Sequence, residues 1–530
     1  MSKNIIITDS YMWKNEHNNL SKQVMHRYQI FNDSKTGWKE GLSGVQEMLK
    51  EVYNNKERLR SYGGKWSLSD VAICNDSIHD SKPLTFFGTI KKTSIAGNAL
   101  YKNDPKPLIE RLYYFQSGSQ INQINNVLED RGLSLPTTGA SNGQTIAGAI
   151  STGTHGSALK YGSMQDYVRG LHIVTSEDEH VILQSKSNPI VNKNFSNVFG
   201  SKLISNDKLF NSALVSFGSF GVILGVILES VSLYMLETYS IRVDYSQAQG
   251  IYKYLNKFNH NSSVNLKKYL NEFSLPTKQD PHHIDLIVNP YSEKKNTFLR
   301  VMYSLPYDKS KCNRKPGRAK TRVGNDILSI IGSIANAVPS LAPTIVSELF
   351  SQASKVQSGY TQTPKNIFND STIYKPKNGS ASTELGVPIN KAAEAVNFII
   401  NLARKEKFMG LIGIRFVKNS KATLAFTRFS PLTCTIELPG LNSEITQQFY
   451  NQVYTKMDNA KIPFTLHWGQ EGDYSPKRLS SMYGKSVNEW VKQRNLLLTD
   501  SLQLYMFTND FLKRCGLSEA KPLIDGGIIV

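Results

Sequence analysis

The sequence predicts an α+β protein with two domains. Three observations support this fold class. The chain has 530 residues, which is enough for two or more domains that each bury a core. Residues 135–183 join a glycine-rich loop to two strand patterns that are separated by a polar turn. After residue 232 glycine becomes rare, and strand patterns alternate with helix patterns.

The composition is that of an ordered globular protein. Hydrophobic residues make up 40% of the chain, which includes 25 tyrosines and 23 phenylalanines. The four cysteines are far apart, so they indicate neither a disulfide scaffold nor a metal site, and they fit a reducing compartment. Residues 1–18 contain one short apolar run, so we expect no signal peptide. We therefore predict a cytoplasmic protein without a metal ion.

The chain carries a net charge of +19, which attracts anionic partners. The positive charges are spread along the sequence, and only residues 309–322 form a dense basic run. We therefore do not expect nucleic acid as a partner. A dinucleotide cofactor or an anionic surface would be attracted by the same charge.

The first part of the chain contains a candidate phosphate-binding turn. Residues 1–41 are predicted to be a polar N-terminal segment, and residues 42–54 an amphipathic helix with one apolar stripe. A strand pattern ends at Ser61 and is followed by Gly63 and Gly64. Backbone N–H groups in such a glycine turn can bind phosphate oxygens.

The central loop has the composition of a ligand-binding loop. Predicted strands at 86–90 and 108–115 and a predicted helix at 121–131 precede it. Dense glycine lets the backbone lie against a ligand, and the polar side chains between the glycines supply hydrogen bonds. The loop lacks the ending of a Walker A sequence and the glycine fingerprint of a Rossmann fold. The glycines are Gly139, Gly143, Gly148, Gly153, Gly156 and Gly162, and the polar residues between them are Gln144, Thr145, Ser151, Thr152, Thr154 and His155.

Two further patterns follow this loop. Residues 168–174 and 180–183 are predicted to be the strands of a hairpin. Residues 209–229 form an apolar segment, and within it residues 217–223 read Phe-Gly-Ser-Phe-Gly-Val-Ile.

Three of these segments resemble the FAD-binding domain of the vanillyl-alcohol oxidase superfamily, the PCMH-type flavoproteins. Residues 144–156 follow the pattern Q-T-I-A-G-A-I-x-T-G-T-H-G, and residues 217–223 resemble the segment that meets the adenine end of FAD. The resemblance implies a PCMH-type FAD-binding fold over residues 42–231. The cofactor-binding residues that it implies are Gly63, Gly64, Lys65, Trp66, Ser67, Ser69, Gly139, Gln144, Thr145, Gly148, Ser151, Thr152, Gly153, Thr154, His155, Gly156, Gly162, Gly221, Val222 and Ile223.

The resemblance also bears on how the flavin is held. In the superfamily the first loop is often written G-G-G-H-S-x-S-D, and in many members its histidine binds the flavin covalently. Trp66 stands at that position here. The resemblance therefore implies noncovalent FAD, and His155 is a less expected point of attachment.

The second half of the chain begins with the elements of another domain. Residues 246–258 are predicted to be helical, and residues 282–289 and 297–305 to be a strand hairpin. Residues 326–350 are strongly apolar, but two prolines interrupt them, whereas a membrane-spanning helix needs about 20 apolar residues. Three interpretations stay open. They are a helix pair inside the domain, a lid over an apolar substrate, and a contact of residues 309–350 with an anionic membrane surface.

The remaining elements are a strand followed by an amphipathic helix at residues 383–403, with Asn390 as the N-cap. Further strands are predicted at 411–417, 422–426 and 434–438, and a further helix at 487–497.

Four motifs in this half resemble the sugar-lactone oxidase branch of the superfamily, which includes gulonolactone, arabinonolactone and alditol oxidases. They lie at residues 384–388, 414–416, 467–469 and 507–512. The resemblance implies an α/β substrate domain, or cap, over residues 232–462 that is built on a mainly antiparallel sheet. It also implies that residues 463–530 close onto the flavin site. A bacterial cholesterol oxidase of the superfamily is a more distant comparison.

Flavin chemistry suggests roles for three residues of this half. Oxidation of an alcohol carbon requires its C–H over the flavin and a partner for the hydroxyl proton. Arg415 is the candidate for orienting the substrate oxygen, and His467 is the candidate for proton transfer. Gln470, which follows the His-Trp-Gly motif, is the third candidate. The alternative interpretations are a surface strand arginine and a structural histidine.

Three positions depart from the family pattern. The family motif around the arginine is Glu-Ile-Arg. Gly413 replaces the glutamate of this motif, so we expect Arg415 to lack its acidic partner. Gln470 replaces a lysine, and Trp66 replaces the histidine.

We predict an FAD-dependent oxidoreductase that acts on CH–OH groups. Its activity would be like that of a D-arabinono-1,4-lactone oxidase, or that of a dehydrogenase, with a small alcohol or lactone as substrate and oxygen or another electron acceptor. The alternatives are a flavin enzyme for an apolar alcohol, such as a sterol or a secondary metabolite, and a non-catalytic flavin-binding protein.

Overall fold

The structure is a computed structural model. It describes residues 3–32, 37–97, 104–139, 142–258, 264–276, 279–313, 339–354, 358–368 and 380–518. Its α-helices are α1 Trp38–Asn54, α2 Leu108–Arg111, α3 Ile121–Glu129, α4 Ile146–Thr152, α5 Lys193–Phe199, α6 Asp207–Leu214, α7 Tyr245–Ala248, α8 Ile251–Asn256, α9 Val264–Asn271, α10 Ala342–Ala353, α11 Pro364–Phe368, α12 Ala392–Glu406, α13 Glu444–Asn459, α14 Pro476–Tyr483, α15 Ser486–Leu497, α16 Ser501–Met506 and α17 Asp510–Cys515.

The first sheet contains strands from the N-terminal segment. Its members are β1 Ile5–Lys14, β2 Ser21–Ile30, β3 Leu59–Tyr62 and β4 Ser77–Asp80, in the order β1-β2-β4-β3. The sequence analysis placed no strand in the polar segment at residues 1–41, and it therefore missed β1 and β2. These strands pair antiparallel over their full length, and buried residues such as Trp13, Val24 and Tyr28 alternate with polar ones. Exposed apolar residues such as Ile6 and Met12 interrupt the alternation and hid this period-2 pattern.

The second sheet carries the predicted hairpin. Its strands are β5 Phe87–Thr89, β6 Leu112–Gln116, β8 Val168–Val174, β9 His180–Gln184, β10 Lys202–Ser205 and β11 Val222–Glu229, in the order β10-β9-β8-β11-β6-β5. A separate pair consists of β7 Leu133–Ser134 and β12 Val231–Ser232. The hairpin is β8–β9, and the apolar segment after residue 209 supplies the buried central strand β11. The predicted strand at 108–115 is wrong in its first half, where α2 lies.

The third sheet confirms the prediction of a mainly antiparallel cap sheet. Its strands are β13 Tyr234–Val243, β14 His283–Val288, β15 Thr297–Pro306, β16 Tyr360–Gln362, β17 Ser380–Pro388, β18 Ile412–Lys418, β19 Leu432–Leu441 and β20 Thr465–Leu466. They run in the order β16-β13-β15-β14-β18-β19-β17-β20, and every pairing is antiparallel.

Helices cover one face of this sheet, and the other face carries the charged side chains of the candidate site and, beside them, packs against α10. On the covered face the Tyr454 hydroxyl of α13 donates a hydrogen bond to Thr383 at 2.6 Å. Successive residues of a strand point to opposite faces. Glu384, which follows Thr383, therefore lies on the face of the candidate site.

Three local predictions in this domain were wrong. Residues 422–426 form no strand, because the carbonyls of Leu424 and Phe426 accept hydrogen bonds from the side chains of Trp468 and Thr465. The helix predicted at 246–258 is divided into α7 and α8. Helix α12 has Lys391 as its N-cap, because a 3-10 turn at Ile389–Lys391 precedes it.

The domain division 1–41, 42–231, 232–462 and 463–530 stays a prediction. The structure adds that β1 and β2 share a sheet with β3 and β4. Residues 314–338 of the basic and apolar stretches lie outside the described residues. The described end of the apolar stretch is α10, which packs Val346, Leu349 and Phe350 against Ile287 and Phe298 of the third sheet. Within the described ranges, no helix has both the length and the hydrophobicity that crossing a bilayer requires.

We expect Phe350→Ala to destabilise the protein by about 3–5 kcal/mol, because a buried aromatic side chain is replaced by a cavity. The Phe350 side chain is 5% exposed. Chemical denaturation, followed by the fluorescence of the protein, would measure the shift in midpoint. Leu341→Ala is the control, because Leu341 precedes the same helix and is 51% exposed. Equal effects of the two changes would show that α10 does not pack into the core.

Candidate functional site

One large cavity lies where the three glycine segments meet the third sheet. Its volume, with its opening to solvent, is about 1450 Å³. Glycine-loop residues line one part of the cavity, and charged residues of the third sheet line another.

The first loop, residues 62–69, packs tightly against the central loop. A Cβ atom on Gly63 would lie 1.9 Å from Thr145 Oγ1, and one on Gly143 would lie 2.8 Å from the Trp66 ring. Only glycine permits such close approaches. Trp66 thus fills the place predicted for a covalently linked histidine, and its ring lies against the central loop.

The N-terminal hairpin supports the first loop, which the sequence analysis missed. The backbone N–H of Glu16 donates to the carbonyl of Lys65 at 3.0 Å, and Asn15 Nδ2 donates to the carbonyl of Ser67 at 2.9 Å. His17 lines the cavity and lies 3.1 Å from the Trp66 carbonyl.

The C-terminal segment joins the first loop from the other side. The backbone N–H of Leu68 donates to the carbonyl of Gly469 at 2.8 Å, and Ser69 Oγ donates to the carbonyl of Trp468 at 2.6 Å. Ser69 therefore supports the loop, although it does not line the cavity.

The central loop supplies unsatisfied polar atoms. Helix α4 begins after Thr145 and ends at Gly153, which has φ 83°. Gln144 Oε1, Thr145 Oγ1 and Ser117 Oγ are buried without a hydrogen-bond partner in the described part of the chain, and all three residues line the cavity. Buried polar groups normally have partners. A polar cofactor at this end, such as FAD, would supply them.

The third glycine segment is held by two buried arginines. Arg60 donates to the carbonyl of Phe217 at 2.7 Å, and Arg494 donates to that of Ser219 at 3.0 Å. Burial lowers the pKa of Arg60 to about 10, so the guanidinium stays charged at neutral pH. Gly218 and Gly221 have φ values of 71° and 112°, which glycine adopts readily.

The structure gathers most of the predicted site residues around this cavity. Those that line it are Gly63, Gly64, Lys65, Trp66, Ser67, Gly139, Gln144, Thr145, Gly148, Ser151, Thr152, Thr154, His155, Gly221, Ile223, Arg415, His467 and Gln470. Those that do not are Ser69, Gly153, Gly156, Gly162 and Val222. Gly156 and Gly162 instead make room for Thr137 and Asp166. The binding roles of all these residues stay predictions.

Arg415 has acidic partners, so the expectation that it lacks one was wrong. Its Nη1 lies 2.8 Å from Glu437 Oε2 and 3.5 Å from Glu384 Oε1. Burial lowers the pKa of Arg415, but Glu437 and Glu384 raise it more, so the net shift is upward. Both glutamates line the cavity. Sequence reasoning missed this pairing because Glu437 lies on the adjacent strand β19 and Glu384 on β17, outside the arginine's own motif.

Two histidines lie beside this group. His155 Nε2 is 3.1 Å from Glu384 Oε1, and His155 Nδ1 is 2.8 Å from the carbonyl of Gly156. The backbone N–H of Gly469 donates to His467 Nδ1 at 3.0 Å. Burial raises the pKa of Glu384, but His155 and other positive neighbours hold it well below the usual range. Burial lowers the pKa of His467 to about 4, so this ring is neutral at pH 7.

Gln470 connects the two glutamates. Its Nε2 lies 3.5 Å from Glu384 Oε2 and 3.5 Å from Glu437 Oε1. Since carboxylates only accept hydrogen bonds, the NH₂ group of the amide must face them.

His155, Glu384 and His467 could geometrically hold a metal ion, since one ligand atom of each lies within 4.8 Å of the others. The surroundings favour ion pairs instead. Nδ1 of His467 already accepts the Gly469 N–H, and the Arg415 guanidinium lies 3.5 Å from the same Glu384 carboxylate. The absence of a metal ion stays a prediction.

We expect Gly63→Ala to reduce the flavin content of the purified protein at least tenfold, because the new Cβ would displace Thr145 from the cofactor end of the cavity. The measurement is flavin absorbance per mole of protein, together with the thermal unfolding midpoint. Gly97→Ala is the control, since nothing lies within 4 Å of a Cβ there. Full flavin content in Gly63→Ala would contradict the assignment of this end to FAD.

Comparisons with known proteins find relatives for both halves of the chain. The family model for the FAD binding domain matches residues 109–184, and the model for D-arabinono-1,4-lactone oxidase matches residues 252–515. A putative D-arabinono-1,4-lactone oxidase of Neurospora crassa is 34% identical over 197 residues, which cover 37% of this chain and 29% of that protein. The matches to this and three other fungal relatives span 20% to 31% of their lengths.

Two comparisons extend over almost the whole chain. An L-gulono-1,4-lactone dehydrogenase of Mycobacterium tuberculosis is 23% identical, with 89% of this chain and 93% of that protein covered. The crystal structure of cholesterol oxidase from B. sterolicum superimposes with a TM-score of 0.70 at 13% identity, covering 97% of this chain and 98% of that one. The latter likeness shows the fold. The chain therefore belongs to the FAD-binding, PCMH-type superfamily of oxidoreductases, in which it resembles the branch of the gulonolactone and arabinonolactone oxidases.

Proposed function

We propose that this protein is an FAD-dependent oxidoreductase that oxidises a CH–OH group of a polar substrate, such as a sugar lactone or an alditol. One observation carries the proposal. The cavity joins glycine loops suited to FAD with a buried, charged group formed by Arg415, Glu384 and Glu437.

The cofactor would be held mainly by backbone groups of the first loop and by Gln144, Thr145 and Ser117, whose buried oxygens lack other partners among the described residues. Bound FAD supplies an acceptor for the hydride that leaves the substrate carbon. Trp66 has no nucleophilic nitrogen comparable to that of histidine, which supports noncovalent binding.

Arg415 is suited to orient the substrate oxygen. Glu437 and Glu384 hold its Nη1, and among the described residues its other nitrogens make no hydrogen bond. One edge of the guanidinium is therefore fixed while the rest of its planar fork remains available. Directed N–H groups of this kind bind and stabilise a developing oxyanion.

The two histidines have different roles in this proposal. Neutral His467 accepts the Gly469 N–H at Nδ1, so its proton is on Nε2 and it serves as a hydrogen-bond donor. His155 contacts the carbonyl of Gly156 through Nδ1 and Glu384 through Nε2. Because the pKa of Glu384 is lowered, its side chain stays a carboxylate, which holds His155 Nε2 and Arg415 Nη1 in place.

The charged and polar residues at the third-sheet end of the cavity, among them Arg415, Glu384 and Glu437, favour a polar substrate over a sterol-like one. The likeness to D-arabinono-1,4-lactone oxidases and to L-gulono-1,4-lactone dehydrogenase supports a five-membered sugar lactone as the first substrate to test. Either oxygen or another acceptor would reoxidise the flavin. Anaerobic mixing with D-arabinono-1,4-lactone, L-gulono-1,4-lactone and alditols tests the proposal, and an unreduced flavin throughout would contradict it.

We expect acid precipitation to release the flavin into the supernatant, because Trp66 cannot form a histidyl link. The absorbance of supernatant and pellet measures this. Flavin fluorescence that stays with the protein band in a denaturing gel would show covalent attachment through another residue.

We expect Arg415→Lys to slow substrate reduction of the flavin about a hundredfold, which corresponds to about 3 kcal/mol. Lysine keeps the charge but loses the planar fork. Anaerobic stopped-flow spectroscopy measures the rate, and flavin content and unfolding midpoint should stay as in the wild type. Arg428→Lys is a matched control, since Arg428 bonds to the carbonyl of Met482 and does not line the cavity. A wild-type rate in Arg415→Lys would mean that this arginine is structural.

A further inference from the structure

We propose that Glu437 is the positioning residue for Arg415, and that Gly413 leaves the space in which its carboxylate does this. The inference rests on the proposed function, because it concerns the same site. It adds a role for Glu437, which no motif identified, and for Gly413, which departs from the family motif.

The pairing of β18 with β19 places the relevant side chains on one face of the sheet. Gly413 lies opposite Glu437, and Arg415 lies opposite Thr435. Arg415 and Glu437 are therefore diagonal neighbours, a distance that long side chains can span. The observed contact of 2.8 Å between Nη1 and Oε2 shows that they do.

Gly413 leaves the place directly opposite Glu437 without a side chain. Directly opposed residues of an antiparallel pair have Cβ atoms about 4.5–5.5 Å apart. On the other side of β19, that place is taken by Glu384, which is the register partner of Glu437. A side chain at position 413 would confine Glu437 between two neighbours. With glycine there, the Glu437 carboxylate can reach Arg415.

The two glutamates explain why the arginine is held so firmly. Like charges directly opposite each other destabilise a sheet, and these two are only 2% and 6% exposed. The guanidinium of Arg415 and the amide of Gln470 lie between them and compensate the repulsion. The shorter contact is the one to Glu437, so Glu437 fixes the direction of the guanidinium.

Asp285 is a third acidic residue near Arg415, and its Oδ2 is bonded to other side chains. It is the register partner of Arg415 on β14. Its Oδ2 accepts hydrogen bonds from Arg300 Nη2 at 2.6 Å and Nε at 2.9 Å, and it lies 2.5 Å from His283 Nε2. Asp285 makes no hydrogen bond to Arg415 within the described structure, so the hydrogen bond that holds the guanidinium comes from Glu437.

The test moves the carboxylate from position 437 on β19 to the opposite position, 413, on β18. Glu437→Gln should lower the rate of flavin reduction about thirtyfold or more with the best donor among D-arabinono-1,4-lactone, L-gulono-1,4-lactone and xylitol. The variant Gly413→Glu/Glu437→Gly restores a carboxylate two residues from Arg415 on the same face, and it should recover to within about tenfold of the wild type. Glu394→Gln, on the outer surface of α12, is the control.

A second measurement separates positioning from mere stability. If Glu437 acts through Arg415, Glu437→Gln should cause no more than a twofold further loss in the Arg415→Lys background, since coupled residues are not additive. A crystal structure of Glu437→Gln should also show the guanidinium rotated from its wild-type direction, and this holds without any turnover.

The outcomes are distinct. A wild-type reduction rate in Glu437→Gln would overturn the inference, as would full additivity with Arg415→Lys or an unmoved guanidinium. If Glu437→Gln does not fold, Glu437→Asp takes its place. An unchanged reduction rate in Glu437→Asp, together with an unmoved guanidinium, would also overturn the inference. Failure of the proposed function looks different, because then the wild-type flavin is not reduced by any donor.

Discussion

The site depends on the contact between the first loop and the C-terminal segment. Two hydrogen bonds, Leu68 N–H to the Gly469 carbonyl and Ser69 Oγ to the Trp468 carbonyl, join residues 399 or more positions apart in the chain. They bring His467 and Gln470 to the cavity beside the loop that is suited to the cofactor. Without this contact the cofactor end and the substrate end would be separate surfaces. Backbone groups form most of this contact, so the contact tolerates substitution of the neighbouring side chains that would take part in the chemistry.

The electrostatics of the site come from the register of the third sheet. Arg300, Asp285, Arg415, Glu437 and Glu384 stand on successive strands and alternate in sign as far as Glu437. The two carboxylates at the end of this row, Glu437 and Glu384, are direct neighbours, and no positively charged residue stands between them on the sheet. They are compensated by Arg415 from one side and by His155 from the FAD-binding half. An arrangement of this kind buries charge at little cost only when every member is paired.

The sequence predicted the parts of the site that are local in the chain. The glycine loops and the residues Arg415 and His467 could be found because each motif is a few residues long. Glu437 could not, because only the strand register makes it a neighbour of Arg415. The strands β1 and β2 were missed because exposed apolar residues such as Ile6 and Met12 interrupt their alternation, and the turn between these strands supports residues 65–67. The strand predicted at residues 422–426 is absent because Thr465 and Trp468, which are distant in sequence, donate side-chain hydrogen bonds to carbonyls of this segment.

The walls of the cavity come from almost the full length of the chain, between His17 and Gln470. A growing chain on the ribosome therefore has no complete binding site until most of its residues have been synthesised. The two glycine loops can meet earlier, but the first loop then still lacks its contact with residues 468 and 469. A molecule that needs the whole cavity can therefore bind only after Gln470 has left the ribosome, late in the synthesis of the chain.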